Sequence, residues 1–81
     1  MDPMVALDTA VKARLEDTFG KGIAMLIVAN ASNDAHTPIF GLSKDDYRRL
    51  VEVICCDSRV KETWGEAGTK AQLEDWMRLV D

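Results

Sequence analysis

The side chains able to do chemistry in this sequence are few and poorly grouped. His36 is the only histidine, so a two-histidine metal site, or a nucleophile with a histidine base to spare, has nothing to draw on. It reads as a solvated loop residue. Cys55 and Cys56 are adjacent. On a helix their side chains point about 100° apart and do not bridge to each other, and a redox or metal role needs the C-x-x-C spacing or further ligands. One is expected to face the core and the other its flank. Asn30-Ala31-Ser32 matches a glycosylation sequon, which carries no meaning in a cytoplasmic chain.

Paired carboxylates offer little more. Asp45-Asp46 and Glu74-Asp75 fall near expected helix starts, where the dipole favours negative charge. Glu16-Asp17 falls near a helix end and is the pair that could face a basic partner. Gly20-Lys21-Gly22 lacks the G-x-x-x-x-G-K-[ST] of a phosphate cradle and the three spaced glycines of a dinucleotide site, so it reads as a tight corner. Lys44, Arg48, Arg49, Arg59 and Lys61 form the one basic cluster and define a nucleic-acid-binding alternative. Asp45, Asp46, Glu52, Asp57 and Glu62 are interleaved with them and weaken any field aimed at phosphates. No catalytic group, metal or cofactor is expected.

Composition narrows the classes. Eighty-one residues with 47% apolar and 30% charged side chains make one globular domain, 1–81, rather than a disordered chain. A net charge of −4 argues against nucleic acid and anionic membranes as partners. The longest apolar run, Ile23 to Ala29, is far shorter than the ~20 residues of a membrane span, and the start lacks the basic and apolar regions of a signal peptide. A cytoplasmic location is expected. Residues 1–3 read equally as an expression leftover before Met4 or as an N-cap (Asp2) and first helical residue (Pro3).

The elements that must position these groups are helical. Met4, Leu7, Val11, Leu15 and Phe19 recur at steps of three and four, predicting a helix over 3–19 that stops at Gly20; a single kinked helix running on to Ala31 is the alternative. Ile23 to Ala29 is apolar all round and is expected at the centre of the fold or across a subunit interface. It has strand-forming residues but no strand to pair with, and reads as helix. If that helix is core, a charge at Leu26 is expected to abolish folding. Asn30 to Leu42 reads as the longest loop, with Ile39 and Phe40 either tucked in or offered as a contact surface.

Ser43 and Asp46 approximate a capping box ahead of a helix to Asp57, whose buried stripe is Tyr47, Leu50, Val51 and Ile54. Val60 and Trp64 fall out of that phase, so Asp57 is expected to cap a short helix ending at Trp64. Gly65 to Gly68 reads as a turn. Thr69-Lys70-Ala71-Gln72 reads as a second capping box, opening a last helix to Val80 with Leu73, Trp76, Met77 and Val80 inward.

Two families bear comparison. An acidic helical domain with a serine opening a long helix resembles acyl carrier proteins, whose arm-bearing serine lies in a D-S-L motif. Ser43 stands between Leu42 and Lys44, so both flanking residues of that motif are missing. Leu42 to Asp57, L-S-K-D-D-Y-R-R-L-V-E-V-I-C-C-D, loosely resembles the first helix of colicin immunity proteins, small acidic inhibitors of nucleases; the likeness spans that helix alone.

The expectation is an all-α domain, a compact bundle of four or five short helices. It acts without catalysis as an adaptor, inhibitor or accessory subunit through a helical face. The residues expected to touch a partner protein are Ile39, Phe40, Trp64, Glu16 and Asp17. A homodimer is the natural way to cover a fully apolar helix in so short a chain.

Overall fold

Four helices carry nearly all of the chain in the computed structural model, which describes residues 1–38 and 40–81. Among the described residues there is no strand. Helix α1 (residues 3–19) begins as the sequence predicts. The Asp2 carboxylate accepts from the amides of Met4 (3.0 Å) and Val5 (3.2 Å), and Pro3 occupies the first turn.

Its large buried residues Leu7, Val11 and Leu15, with half-buried Phe19, are four apart, and Ala6 is buried beside Leu7. A regular α-helix overshoots by about 40° at each such step. The stretch Leu7–Val11 is π-helical, and this wider turn holds the stripe on one face.

Gly20 separates α1 from α2 (Lys21–Ala35), so the first helix does not continue. At φ 83°, ψ 164° it occupies a conformation open essentially only to glycine. Its amide closes α1 on the Glu16 carbonyl (2.8 Å), and its carbonyl opens α2 by accepting from Ala24 (3.0 Å).

Helix α2 runs further than its polar end suggests, absorbing Asn30 to Ala35 from the expected loop. His36 adopts the left-handed conformation. Its amide bonds Asn33 and that of Thr37 bonds Ser32 (3.1 Å), and the Ser32 hydroxyl donates to the Thr37 carbonyl (2.5 Å). This is a Schellman stop with histidine where glycine is usual.

Helix α3 (Lys44–Cys55) is capped by Ser43, whose hydroxyl accepts from the Asp46 amide at 3.1 Å. Helix α4 (Ser58–Arg78) is capped by Asp57. It bends at Gly65 (φ 74°, ψ 169°), the same conformation as Gly20.

The expected turn at 65–68 is thus a single residue. Glu66, Ala67 and Gly68 are already helical, and Thr69 is not a cap: it lies buried inside α4 and its hydroxyl donates back to the Gly65 carbonyl (2.6 Å).

Helix α2 packs between the second half of α1 and α3, and α3 packs on α4. The ring closes where α4 returns to α1. Phe19 and Trp64, the residues before the two hinge glycines, lie with ring centroids 6.2 Å apart. Trp76 meets Trp64 edge-on at 5.9 Å, and the Arg14 guanidinium sits 4.8 Å from the Trp64 ring. The core runs through Leu7, Val11, Leu15, Ile27, Leu50, Val51, Ile54, Val60 and Trp76. Tyr47 lies wholly inside, its hydroxyl donating to the Trp76 carbonyl (2.8 Å).

Candidate contact surface

Ala24, Ile27, Val28, Ala31 and Ser32 turn inward from α2, at the steps of three and four that define one helix face. The opposite face is uncovered. Met25 is 72% exposed and Leu26 51%, with Ile23, Gly22 and Ala29 exposed beside them. The helix is therefore not enclosed on all sides, and Leu26 is not a core position. Its place packed between α1 and α3 is the reason.

No residue from Gly22 to Asn33 carries a charge. The outward face thus lacks the charged side chains that cover the outside of α3. Along its α1 side runs a groove of about 290 Å³, with Met25 and Ala29 in its wall and Lys12, Glu16 and Lys21 at its polar edge. Glu16 is half-buried there and Asp17 is exposed.

Phe40 stands 82% exposed in the connection between α2 and α3. Ile39 lies outside the described residues. Trp64 is half-buried in the aromatic cluster already described, and so meets other side chains of its own chain.

The basic cluster is largely paired. Arg48 binds Asp81 (2.8 Å), Arg49 binds Asp46, and Arg59 grips both oxygens of Asp57 (3.1 and 2.9 Å). The Arg49 bond, with help from Ser43, holds the Asp46 carboxyl below the usual carboxylate range; Arg59 does the same for Asp57. Lys44 and Lys61 are exposed.

The cysteines divide as the helix geometry requires, Cys55 buried and Cys56 exposed. Burial pushes the Cys55 thiol up to about 12, which suppresses the thiolate needed for nucleophilic chemistry. Both line an open groove of about 700 Å³ with Glu52, Lys61, Thr69 and Lys70, a wall of mixed charge. His36 is exposed and serves the backbone stop of α2. Among the described residues no three His, Cys, Asp or Glu side chains are grouped to hold a metal ion. No helix there is long and apolar enough to cross a membrane.

The sequence left the run between core and subunit interface, and did not single out Ile23, Met25 and Leu26 as its exposed residues. The signal was present in the uncharged run; what the run lacked was a phase. Comparison with protein-family models, with curated proteins and with solved structures finds no match to this chain.

Proposed function

We propose that this chain is a small acidic protein-binding module, acting without catalysis through the outward face of α2. The observation that carries the reading is the uncharged apolar strip of Gly22, Ile23, Met25, Leu26 and Ala29, set on a protein whose other helices turn charged side chains outward. Exposed apolar groups clustered on one rigid element are what interfaces bury at their centres. Phe40 adds a rotamer-poor aromatic anchor at the loop that follows the same helix. A nucleic-acid role draws less support, because Arg48, Arg49 and Arg59 are each matched to an acid of the same chain.

The test uses wild-type, Leu26→Asp and Phe40→Ser chains as baits in an extract of the source cell, with circular dichroism confirming that all three are folded. The reading expects proteins held by the wild type and released by Leu26→Asp, with a smaller loss for Phe40→Ser. Equal retention by the wild type and Leu26→Asp overturns it.

A further inference from the structure

Helix α4 is two unequal halves joined at Gly65. The half after the bend, residues 66–78, places one large side chain fully in the core, Trp76, and Val80 follows just beyond its end. By contrast α1 commits Leu7, Val11 and Leu15, and α3 commits Tyr47, Leu50, Val51 and Ile54. Leu73 and Met77 are only half-buried. Thr69 is buried, but its hydroxyl is spent on the Gly65 carbonyl of the bend itself. Near the bend this half does not close flush on α3. The groove of about 700 Å³ lies between them, with Glu52, Cys55 and Cys56 on one wall and Thr69, Lys70 and Leu73 on the other.

Its polar and aromatic ties to the bundle are sparse. The Tyr47 hydroxyl donates to the Trp76 carbonyl (2.8 Å), and the Trp76 ring meets Trp64 edge-on. Arg14 reaches Gln72 from α1 (3.2 Å), and Arg48 holds Asp81 (2.8 Å). The last two lie at the surface, where such bonds contribute little. The Trp64 indole N–H is buried with no acceptor among the described residues, so the cluster that Trp76 covers is incompletely satisfied when closed.

We infer that residues 66–81 form a strap that lifts from the bundle as one unit, turning at Gly65, while the rest of the chain stays folded. Local stability follows buried apolar contact, and this segment has less of it than α1, α2 or α3. Gly65 at φ 74° already interrupts the helical backbone, and glycine turns freely there. The half before the bend stays in place, held by fully buried Val60 and by Phe19 and Arg14 around Trp64. Opening uncovers the Tyr47 hydroxyl and the edge of Trp64 that Trp76 covers. A helix this short, once lifted, does not keep its hydrogen bonds in water, so its amides exchange whenever the strap opens.

Hydrogen exchange of the full chain, read residue by residue by NMR at rising urea concentrations, tests the strap. The expected result is one shared opening for the amides of residues 70–79, faster than that of the best-protected amides of α2 and α3 and less dependent on urea.

Ile27→Val separates the two openings, because it loosens the core and leaves the strap's own ties intact. The best-protected amides of α2 and α3 are expected to exchange about 2- to 10-fold faster, the usual effect of one buried methylene. Those of residues 70–79 are expected to keep the wild-type rate.

Equal protection of strap and core, with both accelerated by Ile27→Val, overturns the inference, since the chain then opens only as a whole. Rates that climb smoothly towards Asp81 also overturn it, because that is fraying of an end rather than a turn at Gly65. Either failure leaves the contact face on α2 untouched.

Discussion

Helices α2 and α3 are neighbours in the bundle and divide their apolar residues in opposite ways. In α3, Tyr47, Leu50, Val51, Ile54 and Cys55 point inward, while Lys44, Asp45, Arg49 and Glu52 are exposed. Every large apolar residue has a place in the core. In α2, Ile27 and Val28 do the same work, yet Ile23, Met25 and Leu26 on the same helix face away from it. The more apolar helix is the less buried one. Apolar content says that a segment avoids water; only phase says which side of it the core occupies, and α2 is apolar enough that phase is invisible in its sequence.

The largest effect expected from that difference is at Ile27, fully buried next to exposed Leu26. Ile27→Asp places a carboxylate in an apolar interior and removes core packing. Its cost, several kcal/mol, is of the order of the stability of a whole small domain, so the chain is expected to be unfolded by circular dichroism at 25 °C. A folded Ile27→Asp protein would reverse the assignment of the two faces.

Next come the hinges that set the phase of each helix. Gly65→Ala and Gly20→Ala meet no neighbouring atom within 4 Å, so any penalty is backbone strain rather than a clash. Each is expected to lose about 1–3 kcal/mol in urea unfolding. No loss at Gly20 would mean that α2 can rotate or continue α1 without cost.

Alkali separates the two helices more finely, because the inward face of α3 titrates and that of α2 does not. Burial raises both Tyr47 and Cys55 to about 12. Groups whose folded values lie above their unfolded ones (about 10 and 8.5) contribute fully below those values and lose that contribution as pH rises towards 12. Stability is expected to hold up to about pH 8 and to fall between about pH 9 and pH 12. Tyr47→Phe, which also gives up the bond to the Trp76 carbonyl, should flatten the upper part of that fall. Urea unfolding at several pH values reads both.

The smallest expected change is a gain. His36 ends α2 at φ 54°, and His36→Gly relieves that left-handed conformation while keeping the backbone stop. A rise of up to about 1 kcal/mol in unfolding free energy is expected, and a loss would show that the imidazole holds something else in place.

Much of the fold was legible residue by residue. The caps at Asp2, Ser43 and Asp57 act as their types suggest, and the stripes of α1 and α3 are the buried faces observed. Three features were not legible. The π-helical turn of α1 follows only from adding up the angular drift of steps of four. Asn30, Ser32, Asn33 and Asp34 look like helix breakers but end α2 from within, through the Ser32 hydroxyl and the His36 stop. Thr69 fits a capping pattern that Gly65 makes unnecessary, since one residue at positive φ both ends and restarts the helix.

The candidate site was half visible. Phe40 stands out, beside Ile39, as a large apolar residue in the connection before α3. Met25 and Leu26 were indistinguishable from Ile27 until α1 and α3 fixed which side of α2 they cover.

The account turns on Leu26, and the unfolding free energy of Leu26→Asp at low micromolar concentration tests it most directly. An exposed outward position predicts a folded helical protein within about 1 kcal/mol of the wild type. A chain that fails to fold would place Leu26 in the core and remove the contact surface from α2.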